Sequence, residues 1–195
     1  MNEPQPGADD LARNPWTRRG RTVAYQNPWI VVYHDDVLRP DGKPGIYGVV
    51  HYRNRAVGVV ALDENDRVLL VGQYRYTLDV YSWELPEGGA PEGEDPEAAA
   101  RRELLEETGY SAERWQPILR AHLSNSVSDE EAVCFLATGL SAGTASPEET
   151  EELRVRWVPF AEALAMTADG RITDALSVLG LQRVALMRSH LAPRQ

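Results

Sequence analysis

From residue 20 to residue 53 the apolar positions come in short runs bounded by turn residues. GRTVAYQ, WIVVYHDDVL and GIYGVVHYR are separated by Asn27-Pro28 and by RPDGKPG. β-Branched and aromatic side chains dominate these runs, a composition that suits a pleated surface, so they predict three strands of a small antiparallel unit. AVGVVALD and RVLLVGQYR flank ENDR and predict a hairpin, and SWELPEGG predicts a short extended piece ending in a glycine-rich loop. The period then lengthens, and a helix is expected over 95–108. Further strands are expected near 115–123, 131–138 and 152–158, with SAGTASPEE as a polar connector. Two helices close the chain, PFAEALAMTADG and RITDALSVLGLQRVALMRSH; in the second, Ile172, Leu176, Leu179 and Leu186 are expected to form one broad buried face. Strands followed by helices predict an α+β fold. Residues 1–15, rich in Pro, Asp, Asn and Gly without periodicity, predict a loose tail; 16–54 form the antiparallel unit and 55–195 the larger domain.

Composition narrows the function. With 195 residues and 43% hydrophobic content the chain can bury a full core. A formal net charge of -10 argues against nucleic acid or an anionic membrane as partner, because no basic block is present to displace counterions from phosphates. An acidic protein that handles phosphates must borrow positive charge, most simply from a metal. The single cysteine, Cys134, excludes an intrachain disulfide and cannot supply a zinc cluster; within AVCFLA it is expected as a buried strand residue. MNEPQPGADD has no apolar signal-like run and no later run approaches a membrane span, so a cytoplasmic location is expected.

The helix over 95–108 carries the chemistry. Asp95 followed by Pro96 supplies an N-cap with proline at the first helical position, and Gly109 suits the left-handed residue past the end. At 100° per residue, Glu103, Glu106 and Glu107 fall within an arc of about 100°, while Leu104 and Leu105 are expected to point toward a core. Glu103 and Glu107 form a like-charge pair at i and i+4, which is mutually destabilising. Glu106 and Glu107 also occupy the last turn, where the helix dipole favours cations. Arg102 reaches Glu106 at i+4 and neutralises only that one of the three acids. A cluster that breaks local rules at one spot is expected to serve a function there. Several carboxylates without histidine or cysteine suit Mg²⁺, or Mn²⁺ as substitute, and magnesium held this way commonly binds substrate phosphates.

The loop before the helix sharpens the pattern. Gly88, five residues, Glu94, seven residues and then Arg102-Glu103-Leu104-Leu105-Glu106-Glu107-Thr108-Gly109-Tyr110 resemble the Nudix box of the Nudix hydrolases at every defining position. VLLVGQYRY, WELPEGG and SNSVSDEEAVCFLA resemble the blocks around that box in the ADP-ribose pyrophosphatase branch. The resemblance implies an α/β/α sandwich around a mixed sheet, with 55–195 as catalytic domain and 16–54 as an N-terminal domain that in relatives exchanges across a homodimer. It implies that Glu103 and Glu107 are ligands of the catalytic metal, with Glu106 assisting and the Glu87 carbonyl as a backbone ligand. Arg102 would orient the glutamates. Arg75 would clamp the pyrophosphate with its forked guanidinium. Glu84 and Gly88 in WELPEGG are further substrate-binding candidates, and Trp29 or Trp16 would stack a base. A general base is expected in SDEEA, where aligning on FLA favours Glu130 and a one-residue shift selects Glu131.

The implied reaction is metal-dependent hydrolysis of the diphosphate of ADP-ribose or a related nucleoside diphosphate sugar. Two departures widen the substrate range. Ser124-Asn125-Ser126-Val127 stands where the ADP-ribose branch carries an SPG turn, and Asp174-Ala175-Leu176 where sugar-nucleotide hydrolases carry Asp-x-Lys. GDP-mannose and FAD therefore remain alternatives, as does a non-catalytic nucleotide sensor on the same fold.

Overall fold

The computed structural model describes residues 13–145 and 152–191, with side chains described as far as Ser189. Most of the expected N-terminal tail, and the later part of SAGTASPEE, lie outside the described residues. The chain divides into two compact units. The first comprises Met1–Arg53 with Ser126–Asp129, the second Asn54–Asn125 with Glu130–Gln195.

In the first unit β1 (Thr17–Gln26), β2 (Ile30–Leu38) and β3 (Pro44–Tyr52) form an antiparallel sheet in the order β1-β2-β3. The turn between β1 and β2 is closed by Asn27, whose Oδ1 accepts from the amides of Trp29 and Ile30 at 2.9 and 2.8 Å. Ser126–Asp129 runs beside β3 in the same unit. The Val50 amide donates to the Val127 carbonyl at 2.8 Å, and the Asp129 amide donates to the Val50 carbonyl at 3.2 Å.

The second unit holds β4 (Arg55–Ala61), β5 (Arg67–Arg75), β6 (Val80–Glu84), β7 (Glu87–Ala90), β8 (Tyr110–His122), β9 (Glu131–Ala142) and β10 (Arg154–Pro159). Its helices are α1 (Pro96–Thr108), α2 (Phe160–Asp169) and α3 (Ala175–Leu191). The strands make a mixed sheet, β7-β4-β9-β8, in which β4 and β9 are parallel, and an antiparallel sheet, β10-β5-β6. The expected AVGVVALD/RVLLVGQYR hairpin is therefore not a hairpin. The chain does turn at ENDR, but β4 is flanked by β7 and β9 and β5 by β10 and β6, which leaves the two strands only a single bridge, Leu62 to Val68.

Both faces of β4 are covered, which explains its continuous apolar run. Val57, Val59 and Ala61 pack with Ala99, Ala100 and Leu104 of α1, whereas Val60 and Leu62 pack with Phe160, Ala163 and Met166 of α2 and with Leu176, Leu181 and Val184 of α3. The result is the expected α/β/α layering. The face of α3 differs from expectation: Leu176 and Leu181 are buried, but Leu179 and Leu186 are exposed. Apolar residues occupy several sides of this helix, while Ser177 and Gly180 interrupt the side that is buried. Ser177 belongs there because its Oγ accepts the Leu85 amide at 2.8 Å, and the helix begins after Asp174, whose carboxylate accepts the Ser177 amide at 2.7 Å.

Candidate active site

The caps of α1 are as its sequence predicts. The Asp95 carboxylate accepts from the amides of Glu97 and Ala98, and Gly109 takes φ 74° while its amide returns to the Leu105 carbonyl. One inward position is not as expected: Leu105 is 42% exposed, whereas Glu107 is 4% exposed. The helix thus buries an acid and presents a leucine to solvent. What stabilises the buried acid is the backbone of β7. The Glu87 amide donates to Glu107 Oε2 at 3.1 Å, and the Gly89 amide donates to Glu103 Oε1 at 3.2 Å. Gly88 stands between these two donors because a methyl group there would overlap the Glu103 carboxylate. Burial pushes the Glu103 carboxyl above its ordinary value, against the charge and hydrogen bonds of Arg102.

Arg102 engages more acids than its i+4 reach suggests. Its Nη1 donates to Glu103 Oε1 at 2.8 Å and Glu106 Oε2 at 3.0 Å, while Nη2 donates to the Gly89 carbonyl at 2.9 Å and Glu94 Oε2 at 3.2 Å. The sequence-based count of one neutralised acid is thereby corrected to two of the three, with Glu94 added. Burial works against the charge of this guanidinium, but the surrounding carboxylates outweigh it and keep Arg102 firmly protonated.

A second cluster forms at β5, β6 and β7. Arg75 Nε donates to Glu84 Oε1 and Oε2 at 2.9 and 3.0 Å, and Nη2 donates to Glu84 and to Glu87 Oε1, the latter at 2.8 Å. Glu84 is buried, so its carboxylate meets Arg75 rather than open solvent. Burial again opposes the arginine charge, and Glu84, Glu87 and Asp174 outweigh it. Burial, then the charges of Asp174 and Glu84, hold the Glu87 carboxyl well above its ordinary value. Glu87 Oε2 is buried without an N–H or O–H donor, and Asp174 is the carboxylate it meets.

The acids of SDEEA separate clearly. Asp129 belongs to the first unit, where His51 Nδ1 lies 2.5 Å from its Oδ2 and the Tyr52 amide donates to Oδ1 at 3.0 Å. Glu131 pairs with Arg55 at 2.7 Å and Arg120 at 2.5 Å. Glu130 has no cationic partner among the described residues; burial, then the charge of Asp174, push its carboxyl above its ordinary value. Asp174 thus influences Glu87, Glu130 and Arg75 and is the site residue that sequence reasoning missed. In the sequence it stood out only as the first residue of Asp174-Ala175-Leu176, where related hydrolases carry Asp-x-Lys, and as a cap with Ser177 three residues on; neither placed it beside Glu87. Trp29 is 68% exposed in the first unit, and Trp16 packs edge-on against Tyr47 with ring centroids 5.4 Å apart. Cys134 is buried, and burial pushes its thiol up to about 12, which leaves it unreactive.

Among the described residues no three Asp, Glu, His or Cys side chains are already gathered as a metal-ligand set. The donors nevertheless suit a hard divalent cation in kind. Glu103, Glu106, Glu107 and the Glu87 carbonyl offer only oxygen, and a cation would relieve the cost of holding a buried charge on Glu103.

Known proteins extend this description. The model of the NUDIX domain matches residues 52–176, and that of the nucleoside diphosphate sugar hydrolase N-terminal domain matches residues 16–50. The CMP-5'-(N-acetyl-N-hydroxy-3-aminopropyl)phosphonate hydrolase of Streptomyces rubellomurinus is 32% identical over 87% of this chain and 82% of its own. The ADP-ribose pyrophosphatase of Mycobacterium tuberculosis is 36% identical over 77% of this chain and 73% of its own. A crystal structure of an ADP compounds hydrolase superposes with a TM-score of 0.82 at 21% identity, covering 91% of this chain and 96% of that one, and shows the same fold. The acidic helix end docked on a glycine-bearing strand and the match over 52–176 lead to one conclusion: the chain belongs to the Nudix family of hydrolases, which generally require a divalent metal.

Proposed function

We propose that this protein is a Mg²⁺-dependent hydrolase, with Mn²⁺ as substitute, that cleaves the diphosphate of ADP-ribose or a related nucleoside diphosphate sugar. It acts as a homodimer in the cytoplasm and yields a nucleoside monophosphate and a sugar phosphate. One observation carries the reading: Glu103 and Glu107, one helical turn apart, both accept from amides of β7 while Arg102 braces Glu103 and Glu106. The relatives named for ADP-ribose and for a CMP-linked phosphonate share a chemistry, a nucleoside monophosphate joined by an anhydride to a second phosphorus.

Glu103, Glu107 and Glu106, with the Glu87 carbonyl, would hold the cation, which when bound neutralises diphosphate charge and acidifies water. The chain's own groups do the rest. A guanidinium carries five N–H donors, and Glu84 and Glu87 engage Nε and Nη2 of Arg75, which directs Nη1 to a phosphate oxygen. Glu130 takes the proton as water attacks phosphorus; an oxygen–phosphorus bond forms and the bridging bond breaks, releasing the second phosphate. A carboxyl raised above its ordinary value is the stronger base for that transfer. Arg102 orients the acids, and Trp29 is the candidate for stacking the base.

The test is a substrate panel of ADP-ribose, GDP-mannose, FAD and a CMP-linked phosphonate, with Mg²⁺ and with Mn²⁺, read by chromatography. AMP and ribose 5-phosphate are the expected products of ADP-ribose. Absence of hydrolysis across the panel would favour a nucleotide sensor instead. Glu107→Gln is expected to abolish turnover while circular dichroism and elution volume stay unchanged; unaltered turnover would remove Glu107 from the metal site.

A further inference from the structure

Three acids stand in a row at the entry to β9, and partners distant in sequence engage two of them. Glu131 occupies the first position of β9, whose neighbours are β4 and β8. Each neighbour sends one arginine to it: Arg55 Nε reaches Oε2 at 2.7 Å and Arg120 Nε reaches Oε1 at 2.5 Å. Both carboxylate oxygens are therefore held, one from each side of the strand. Asp129 is likewise fixed in the first unit by His51 and the Tyr52 amide. Glu130 alone is left without a cation among the described residues, and its carbonyl accepts the Leu123 amide at 3.3 Å.

We propose that Glu131 is a positioning residue that, clamped by Arg55 and Arg120, fixes the first turn of the backbone into β9 and so directs Glu130 at the site. Successive side chains of an extended segment leave on opposite faces, so locking one side chain at the strand entry sets the direction of the one before it. The clamp also prevents Glu131 from serving as the base itself, since it would have to break two charge-assisted hydrogen bonds to turn. The inference rests on reading Glu130 as the base.

A double-mutant cycle on the full-length enzyme tests it, with kcat and KM for the best substrate of the panel. Glu130→Gln is expected to lower kcat on the order of 100-fold or more. Glu131→Ala is expected to lower kcat about 10-fold with KM within about twofold, as a misdirected base would. In the Glu130→Gln background the same Glu131→Ala change is expected to cost nothing further, because its effect runs through Glu130. An equal loss in both backgrounds, or a loss confined to KM, overturns the proposal. So does Glu131→Gln matching the full loss of Glu130→Gln, since Glu131 would then be the base. A Glu130→Gln enzyme of unchanged kcat refutes the base assignment itself, independently of the clamp. Should Glu131→Ala fail to fold, Arg120→Ala tests the same clamp from an exposed side chain, with Arg120→Lys expected to restore part of kcat and Arg120→Ala showing none of the loss overturning it.

Discussion

At the scale of single residues, the site is built on exchanges that run against simple polarity. Glu107 is buried and Leu105 exposed because the Glu87 amide of β7 donates to the Glu107 carboxylate, as the Gly89 amide does to Glu103, and no leucine could satisfy those donors. Gly88 permits the approach. Gly88→Ala is expected to displace Glu103, lower stability by about 1–3 kcal/mol as overpacking does, and lower kcat more than ten-fold. Thermal unfolding and initial rates check both. Ser177→Ala removes the acceptor of the buried Leu85 amide and is expected to cost about 1–3 kcal/mol in chemical denaturation, without altering KM. Residue identity and spacing were enough to place Glu103, Glu106 and Glu107 together at the end of α1. Glu130 and Glu131 could not be told apart that way, because what separates them is Arg55 and Arg120, which only the sheet order brings to one strand. Asp174 was hidden for the same reason: its carboxylate neighbour, Glu87, lies on a distant strand.

At the scale of elements, α1 was legible to the residue because its ends are written in local chemistry. Asp95→Ala is expected to cost about 1 kcal/mol by removing a cap that accepts two amides. Gly109→Ala is expected to cost at least as much, since φ is 74° and a methyl group would lie 2.7 Å from the Ala145 amide nitrogen. Both are measurable as shifts of the denaturation midpoint. Strand pairing was less legible. A short turn between apolar runs reads locally as a hairpin, yet β4 and β5 both lie inside sheets: β7 and β9 flank β4, and β10 and the neighbouring β6 flank β5. In α3 the apolar residues surround the helix, so its buried side depends on what packs there and not on periodicity.

At the scale of the whole molecule, charge sets how stability responds to acid and to metal. In the first unit the hydrogen bonds and charge of Arg21, at 2.6 Å, hold the Asp35 carboxyl below its ordinary value despite its burial. A depressed folded value means that the pair's stabilisation is present above the unfolded value of about 3.9 and is lost as pH falls through the folded one. Asp35→Asn is expected to lower stability at neutral pH and to weaken that part of the acid dependence. Glu103 has the opposite sign. Its raised value makes the metal-free protein lose stability as pH rises from the unfolded value through the folded one. Added Mg²⁺ is therefore expected to raise the melting temperature more at pH 8 than at pH 5, by an amount that saturates with concentration, and Glu107→Gln is expected to abolish the effect.

The pairing of Val50 with Val127 and Asp129 carries a consequence for synthesis. A ribosome releases the chain from its beginning, and β1, β2 and β3 emerge with the outer edge of β3 still lacking the segment that covers it. That cover arrives only after the stretch from Asn54 to Asn125 has been made, so the edge of this sheet is closed long after its own three strands have emerged. A peptide ending at Arg53 is thus expected to show little protection of the Val50 amide against hydrogen exchange, where the full chain protects it.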